Sequence, residues 1–461
     1  MTEAPCLPVA PPPKLLTLRL SIMMFLQWAM FGLWAPLWGK FLLAPASEGG
    51  LAFTNWQVGW IMGISGSVGA LMAPLIGGQI ADRYVPTQRL LAVLLIVGGL
   101  LKWVTAYQTG FWPWLGLSVG AALALGPTGA LTNSLAFAHL SDPTRQFPKI
   151  RVWGTIGWIV SGWVFAMVWL QHDLVLQYLP PFLKGEEHGN VMPRMLDSLK
   201  VAGVVAIAFA LYCLTLPNTP PKRDARVKLA FGKAFAMFRH RSFAVLLGSG
   251  LLIASLNQIY WIQTPSLLTH LGLRKADILP AMSIGQFAEI FVMAMLGLML
   301  KRLGYRRVLA IGGAAFVLRF AIFGTVGLPL WAELAVDSPI FGPGGLPLSV
   351  ALVAQALHGL CYACFFAGSF IYIDKLADED VRHSAQTVFC ILMGIGPVIG
   401  GWLNGALGAR YLPKGGTPDY QSYWYVAAAI GLLATVILAV LFRDETEAKQ
   451  PADADAPAEA G

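Results

Sequence analysis

Apolar runs of membrane-spanning length recur along this chain from near residue 16 to near residue 443. Its residues are 56% hydrophobic and 12% charged, whereas an ordinary soluble domain has about 25% charged residues. Because about 20 apolar residues suffice for a helix to cross a bilayer, the pattern predicts an all-α membrane protein with twelve transmembrane helices. The predicted spans are 16–43, 56–81, 88–107, 111–140, 148–172, 198–218, 243–271, 276–301, 306–327, 347–376, 382–410 and 421–443.

The 32 Lys and Arg residues are concentrated in the turns that share a side with both chain ends. Cytoplasmic loops carry the excess of these residues, so the sequence predicts cytoplasmic N- and C-termini in a cell inner (cytoplasmic) membrane. The net charge of +8 does not indicate nucleic-acid binding, because the basic residues lie between apolar runs. No secretory signal precedes the first span, and we expect that helix to serve as its own insertion signal.

A long basic connection at 219–242 divides the predicted spans into two sets of six. The segments 78–83 and 297–307 follow equivalent spans in the two sets, and both resemble the Gly-x-x-x-Asp-Arg/Lys-x-Gly-x-Arg/Lys loop signature of the major facilitator superfamily. Repeated halves with a site between them near the bilayer midplane are the expected consequence. The predicted parts are a tail at 1–15, a first half at 16–218, a linker at 219–242, a second half at 243–443 and a tail at 444–461.

A carboxylate, Glu289, lies inside the span predicted at 276–301. A charge at this depth costs about 2.5–3.5 kcal/mol on insertion scales, and such residues usually mark a substrate, proton or ion pathway. Gln286 is three residues earlier and shares the same helix face. Arg319 is at similar depth in the next span, so a structural ion pair with Glu289 is an alternative. We predict substrate or proton handling for Glu289 and a structural role for Arg319.

Two further spans carry polar and aromatic stripes. Arg151, Thr155 and Trp158 have helical spacing and share one face, which suits a polar ligand with an aromatic ring. The alternative is that Arg151 is a cytoplasmic anchor and Trp158 an interface residue. Asn257 and Tyr260 belong to an unusually polar stretch of the next half, where hydrogen bonding between helices is the alternative to a cavity role.

His358 and Tyr362 are four residues apart in the span predicted at 347–376. Histidine exchanges a proton near neutral pH and could couple transport to protons, although a hydrogen-bonded packing histidine fits equally well. Cys361 and Cys364 have the spacing of a redox or metal pair, but no second pair accompanies them, so packing residues are the better interpretation. The sequence predicts no metal site and no cofactor. It also lacks a P-loop and a nucleophile elbow, so we do not expect an enzyme.

The segment 150–157, Ile-Arg-Val-Trp-Gly-Thr-Ile-Gly, resembles the signature of the nucleoside:proton symporter family, the bacterial nucleoside permease branch of the major facilitator superfamily. The resemblance covers nearly the whole chain apart from the tails and the loop at 173–197. It implies the fold of that superfamily, with nucleosides and protons as cargo. Other matching segments are 25–27, 127–128, 282–289, 318–320 and 382–386.

In that family an arginine, a threonine and an aromatic residue help to line the nucleoside site. They fall on Arg151, Thr155 and Trp158, where the family usually has phenylalanine at the last position. The family's glutamine and glutamate fall on Gln286 and Glu289. The resemblance therefore implies that the polar members hydrogen-bond the nucleoside, that Trp158 stacks on its ring, and that Glu289 is the carboxylate linked to the proton.

The sequence departs from the family pattern at several site positions. The family's glutamine falls on Asn257 and its asparagine on Tyr260. Its tyrosine falls on His358, and its Phe-Asp pair falls on Tyr362 and Ala363, so a carboxylate of the family is absent. By the resemblance Asn257, Tyr260 and Tyr362 still belong to the substrate site, and His358 is a candidate to stand in for the missing carboxylate in proton coupling.

Together these features predict a secondary transporter that imports nucleosides with protons by alternating access, with the proton gradient as its energy source. We expect a monomer in the lipid bilayer whose partners are a small nucleoside-like molecule and protons. One alternative is a proton symporter of the same fold for a sugar or a modified nucleoside. Another is a non-transporting membrane sensor, which would need an appended soluble domain. Tails of only about 15 and 18 residues argue against that second alternative.

Overall fold

The computed structural model describes residues 14–75, 84–172, 185–220, 237–326, 328, 331, 344–377 and 382–445. Within them the chain is helical, and the only β-type pairing among these residues is an isolated bridge between Gln171 and Glu187. The helices are α1 (Lys14–Leu43), α2 (Asn55–Leu75), α3 (Thr87–Thr105), α4 (Phe111–Leu125), α5 (Thr128–His139), α6 (Pro143–Phe165), α7 (Val191–Cys213), α8 (Arg241–His270), α9 (Ile278–Thr325), α10 (Gly345–Gln355), α11 (Leu357–Leu360), α12 (Gly368–Leu376), α13 (Arg382–Tyr411) and α14 (Tyr420–Leu441).

Ten helical stretches in this described part are long and apolar enough to cross a membrane. The spans predicted at 276–301 and 306–327 form one of them, Lys275–Thr325. The span predicted at 56–81 is observed as α2, and residues 76–83 lie outside the described part. An all-helical architecture with many apolar helices is therefore confirmed, and the count of twelve spans stays a prediction.

The basic turn predicted at 301–307 lies within α9. Gly304 there has φ 73° and ψ 167°, and the helix is kinked at this residue. A residue with a Cβ rarely adopts a positive φ, so glycine is required at this bend. α9 thus consists of two helices joined at the predicted turn.

Other predicted spans are interrupted or shifted. Pro127 separates α4 from α5 because proline has no N–H to continue the helical hydrogen bonds. A π-helical turn at Cys361–Ala367 separates α11 from α12, and such turns are frequent at functional sites. α7 begins at Val191, so the end of the loop predicted at 173–197 is helical.

The helices pack in two groups, a first group from α1 to α7 and a second group from α8 to α14. In the first group α1 packs against α6 and α7, and α3 packs against α4 and α7. In the second group α9 packs against α14, and α8 packs against α13. The two groups meet where α2 runs along α13, where α1 contacts α8 and where α6 contacts α9.

Polar contacts join the two groups at one end of the bundle. We call it the Glu48 end, after Glu48 in the short helical turn Ala46–Glu48 that follows α1. Lys275 Nζ lies 2.7 Å from Glu48 Oε2. Nearby, Gln263 Nε2 of the second group donates a hydrogen bond to Asn55 Oδ1 of the first group at 2.8 Å, and Asn404 Nδ2 of the second group donates to the Asn55 carbonyl oxygen at 2.9 Å. These contacts hold the two groups together at the Glu48 end.

Several predicted features lie outside the described residues. They are the motif at 78–83, residues 1–13 and 446–461 of the tails, residues 221–236 of the linker and residues 173–184 of the loop.

Candidate functional site

A cavity of about 460 Å³ lies between the two helix groups. Small-molecule sites typically have volumes of about 300–1,000 Å³. The first group lines the cavity with residues from α1, α2, α3, α4 and α6. The second group contributes residues from α8, α9 and the region of α11 and the π-helical turn. The sequence predicts a site between two halves, and this cavity is the candidate for it.

The predicted stripe on α6 faces this cavity. Arg151, Thr155 and Trp158 all line it, and they share one helix face as their spacing predicts. The guanidinium carbon of Arg151 lies 4.7 Å from the ring centre of Trp28 on α1. The ring of Trp158 lies 5.8 Å from that of Trp261 on α8. The stripe therefore combines a cation, a hydroxyl and stacked indoles on the cavity wall.

α9 and α8 supply the polar groups opposite this stripe. Gln286, Glu289 and Asn257 line the cavity. Gln286 is 5% exposed, and its Oε1 has no hydrogen-bond partner within the described part of the chain. Glu289 is half-buried, and Arg151 is near enough to interact with it electrostatically. An unpaired amide oxygen and a carboxylate thus remain available to a ligand.

His358 lines the cavity and is held from behind by Arg319. Arg319 is fully buried, and its Nη1 lies 3.1 Å from His358 Nδ1. The guanidinium can only donate, so Nδ1 must accept and this histidine is neutral in the observed arrangement. The ion pair between Glu289 and Arg319 that the sequence left open is not among the ion pairs of the described residues. The partner of Arg319 is His358.

Tyr260 is the predicted site residue that does not line the cavity. It is fully buried, and its hydroxyl donates to Gln355 Oε1 at 3.0 Å. Its ring stacks on His358 with centres 5.3 Å apart and planes at 17°. Tyr260 therefore supports His358 from outside the cavity, because its place on α8 is turned away from the face that carries Asn257 and Trp261.

Tyr362 and Ala363, two neighbouring positions that depart from the family pattern, differ in whether they face the cavity. Tyr362 lines the cavity and is 38% exposed. Ala363 is fully buried and does not line it. The position that carries a carboxylate in the family therefore presents no polar group to this cavity.

Two features of the site were missed from the sequence. Lys102 on α3 lines the cavity and is 4% exposed. A lysine within an apolar run was the available signal. The other feature is an aromatic face on α1, where Trp28, Phe31, Trp34 and Trp38 line the cavity. Their spacing of three, three and four residues places them on one helix face.

A metal site is not indicated. Among the described residues there is no group of three or more His, Cys, Asp or Glu side chains that could hold a metal ion. Cys361 and Cys364 are fully buried free thiols in the π-helical turn. They pack against their neighbours, as the sequence indicated.

The sequence of this chain is similar to those of known membrane transporters. Residues 15–447 match the family described as "Nucleoside H+ symporter". The chain belongs to the nucleoside H+ symporter family. The predicted family is therefore confirmed over almost the full length, and the site described above is the central cavity of a member of this family.

Curated relatives agree with this assignment. The "putative nucleoside transporter YegT" of Escherichia coli (strain K12) is 31% identical over 93% of this chain and 94% of its own length. "Xanthosine permease" and "nucleoside permease NupG" of the same organism are each 25% identical, over 92% and 93% of this chain and 94% and 96% of their own lengths.

Solved structures show the same fold. Two crystal structures of the nucleoside transporter NupG match with TM-scores of 0.77 and 0.75, at 22% identity over 93% of this chain and 100% and 99% of theirs. A D-xylose-proton symporter matches with a TM-score of 0.67 at 12% identity, over 94% of this chain and 99% of its own. At these identities the likeness concerns the fold alone.

Membership of the nucleoside H+ symporter family identifies the chain as a multi-pass membrane transporter of the inner membrane that moves nucleosides together with protons. The family and the structural relatives are transporters, not enzymes. The prediction of a transporter made from the sequence is confirmed.

Proposed function

We propose that this protein imports nucleosides and protons through the central cavity, with Glu289 as the group that carries the proton. One observation supports this most strongly. Eight of the nine site residues predicted from the sequence, all except Tyr260, line a single cavity between the two helix groups. Residues from separate helices meet there, although they are up to about 210 positions apart in the sequence.

Aromatic rings and polar groups of the cavity make different contacts with the nucleoside. Trp158 and Tyr362 present ring faces to the cavity, and a nucleobase stacks on such faces. Gln286 offers its unpaired Oε1 to an N–H or hydroxyl of the ligand. Arg151, Thr155 and Asn257 supply further polar contacts from both groups. A ligand bound in this way contacts both groups and can respond to their relative movement.

Glu289 is suited to carry the proton because it lies in the cavity beside the substrate groups and within the field of Arg151. When ionised, the carboxylate attracts Arg151 across the cavity. When protonated, it releases Arg151 and can donate a hydrogen bond to the nucleoside. Proton binding and substrate binding then favour each other, which is the requirement for symport.

His358 is not the proton carrier in this proposal, although the sequence left that role open. Its Nδ1 accepts a hydrogen bond from Arg319. A proton on Nδ1 would break this bond and place two cations side by side in a buried site. We propose that His358 instead fixes the position of Arg319 and presents its other ring nitrogen towards the cavity.

The two helix groups correspond to the predicted halves 16–218 and 243–443, joined by the linker 219–242. We propose twelve transmembrane spans, obtained by counting α2 as one span and α9 as two spans joined at Gly304. The Glu48 end then faces away from the cytoplasm, and both termini are cytoplasmic, as the basic turns predict. The groups rock about the cavity to alternate access. We propose that one monomer is sufficient, since a single chain contains the whole cavity.

Uptake of radiolabelled uridine by proteoliposomes with an inward proton gradient tests the proposal. We expect accumulation by the wild type, and we expect Glu289→Gln to lose accumulation while it still exchanges internal for external uridine. Glu186→Gln, an exposed carboxylate in a loop, is the matched control and should behave as the wild type. Accumulation retained by Glu289→Gln would assign the proton to another group. No uridine uptake by a folded wild-type protein would refute uridine as a substrate.

A further inference from the structure

Lys102 has an unusual place in the cavity wall. It lies on α3 in the first helix group, is 4% exposed and lines the cavity. Its Nζ is 3.4 Å from the ring centre of Trp34 and 4.4 Å from that of Trp38. These two rings lie edge to face at 4.7 Å. The ammonium group is thus held against the aromatic face of α1 at a fixed point of the cavity.

The protein itself does not neutralise this cation. Within the described part of the chain, the ammonium group of Lys102 takes part in no hydrogen bond and no ion pair, although the backbone carbonyl of Lys102 accepts from Ala106 N–H. The faces of the two indoles attract the charge and compensate part of the cost of burial. An ammonium nevertheless has three N–H donors, and those of a buried one are normally paired. The unpaired donors of Lys102 therefore indicate a partner that is external to the protein.

Two further polar groups on residues that line this cavity also lack a hydrogen-bond partner within the described ranges. Ser118 Oγ on α4 and Trp38 Nε1 on α1 are buried and have no hydrogen-bond partner in the described residues. Both residues line the cavity together with Lys102. This side of the first group therefore offers several donors. A ligand group with oxygen acceptors satisfies them.

The charges of the cavity also indicate an anionic ligand. Arg151 and Lys102 are the cations that line it, and Glu289 is the lining carboxylate. Behind the wall, Arg319 adds a third positive charge, which is fully buried and whose neighbour His358 is neutral. The formal charges at the cavity therefore sum to a positive value, which increases when Glu289 is protonated. A buried excess of positive charge favours a negatively charged ligand over a neutral one.

We propose that Lys102, with Ser118 and Trp38, forms a subsite that selects nucleosides bearing a negative charge on the base, such as a carboxylate. This inference rests on the proposed function, because it assigns a preference within the nucleoside class. The ammonium binds the anionic oxygens, and the hydroxyl and the indole N–H donate to the same oxygens. Lys102 is a specificity-determining residue in this arrangement.

If the role of Lys102 were purely structural, its replacement would have a different effect on uptake. If Lys102 only held α3 against the rings of α1, its replacement would reduce stability or uptake of every substrate alike. The selectivity between a charged and a neutral base would then remain. The comparison of two substrates that differ in charge and are similar in shape separates these roles.

The experiment measures inhibition of radiolabelled uridine uptake in proteoliposomes by 5-carboxyuridine and by its neutral, near-isosteric amide, 5-carbamoyluridine. We expect the wild type to prefer the acid by roughly tenfold or more, since hydrogen bonds to charged groups exceed neutral ones by about this factor. Lys102→Met should lose this preference and still transport uridine. Lys102→Arg, which keeps the charge and the contact with the indoles, should retain it.

Equal inhibition by the acid and the amide in the wild type would overturn the inference, and the uridine uptake seen in the same assay would leave the proposed function standing. The same conclusion follows if Lys102→Met keeps the preference for the acid. If Lys102→Met does not fold, Ser118→Ala replaces it, and a preference unchanged there overturns the shared subsite. If a folded wild type does not transport uridine, uridine is refuted as a substrate, and uptake of radiolabelled 5-carboxyuridine is measured instead; no uptake of that compound overturns the inference.

Discussion

Arg319 donates a hydrogen bond from Nη1 to Nδ1 of His358 over 3.1 Å, and this bond decides how the buried charges of the second helix group are arranged. From the sequence, an ion pair between Arg319 and Glu289 was the alternative, because both lie at similar depth on adjacent predicted spans. The observed pairing leaves the carboxylate free to face the cavity. A neutral histidine accepts a hydrogen bond from the buried arginine, so the carboxylate of Glu289 is not needed as its partner.

This pairing makes a prediction for His358. Asparagine can place an oxygen acceptor near the position of Nδ1, so His358→Asn should keep gradient-driven uridine uptake within about threefold of the wild type. His358→Leu leaves the guanidinium of Arg319 without its partner, and its Nε and Nη2 already have none in the described residues. We expect a loss of about 1–3 kcal/mol in the free energy of unfolding. Thermal unfolding in detergent and uptake in proteoliposomes measure the two effects.

Failure of His358→Asn to accumulate uridine, with normal stability and normal exchange, would return proton coupling to His358. Glu289→Gln is the matched comparison, because it should lose accumulation in the same assay. The two variants together distinguish the carrier of the proton from the residue that positions its neighbour.

The stripe on α6 could be predicted from the sequence because three residues at helical spacing share a face wherever the helix lies. The face of α8 could not be predicted with the same accuracy. Asn257 and Tyr260 are three residues apart and close in angle, but the cavity edge falls between them. Only the packing of α8 against its neighbours decides which of two adjacent stripes faces the ligand.

Lys102 shows a different limit of prediction from the sequence. Its sequence position near the end of an apolar run suited a lysine that reaches the membrane surface. In the structure the aromatic face of α1 draws it inwards, with Trp34 at 3.4 Å. That contact joins residues that are 68 positions apart. Local patterns therefore predicted the family and a set of residues that mostly line one cavity, whereas the place of Lys102 in that cavity depended on a long-range contact.

Replacement of Tyr260 should affect stability, whereas replacement of Trp158 should affect KM for uridine. Tyr260→Phe removes the hydrogen bond to Gln355, which is buried, and should lower the free energy of unfolding by about 1–3 kcal/mol with little change in KM for uridine. Trp158→Ala removes a ring that lines the cavity and should raise KM by roughly tenfold or more, as for other aromatic platforms that stack on bases. A large KM increase in Tyr260→Phe would contradict its position outside the cavity.

The ion pair at the Glu48 end predicts a dependence of conformation on pH. In the observed arrangement a hydrogen bond from Lys275 lowers the pKa of Glu48 below its ordinary value of 4.5. The closed arrangement therefore binds a proton more weakly than an arrangement in which the pair is separated. The pair contributes fully above the ordinary pKa, and its contribution is lost as the pH falls through the lowered pKa. Since both side chains are partly exposed, we expect about 0.2–1 kcal/mol.

Spin labels at the exposed positions Ser47 and Thr417, one on each helix group, report this effect as a distance distribution. Glu48→Gln at neutral pH should shift the distribution towards longer distances, as acidification of the wild type does. Asp197→Asn breaks an ion pair with Lys200 inside the first group, where the atoms are 2.8 Å apart, and serves as the control. An identical shift in both variants would show that the pair does not join the groups.

The contact between α2 and α13 makes the last prediction. A Cβ on Gly401 would lie 2.1 Å from the carbonyl oxygen of Gly59, so a larger side chain cannot occupy this crossing. Gly401→Leu should therefore favour the state that is open at the Glu48 end, lengthen the Ser47–Thr417 distance and abolish uptake. Gly297→Ala, which meets open space, should leave uptake unchanged. Normal uptake by Gly401→Leu would mean that this crossing is not required for the transport cycle.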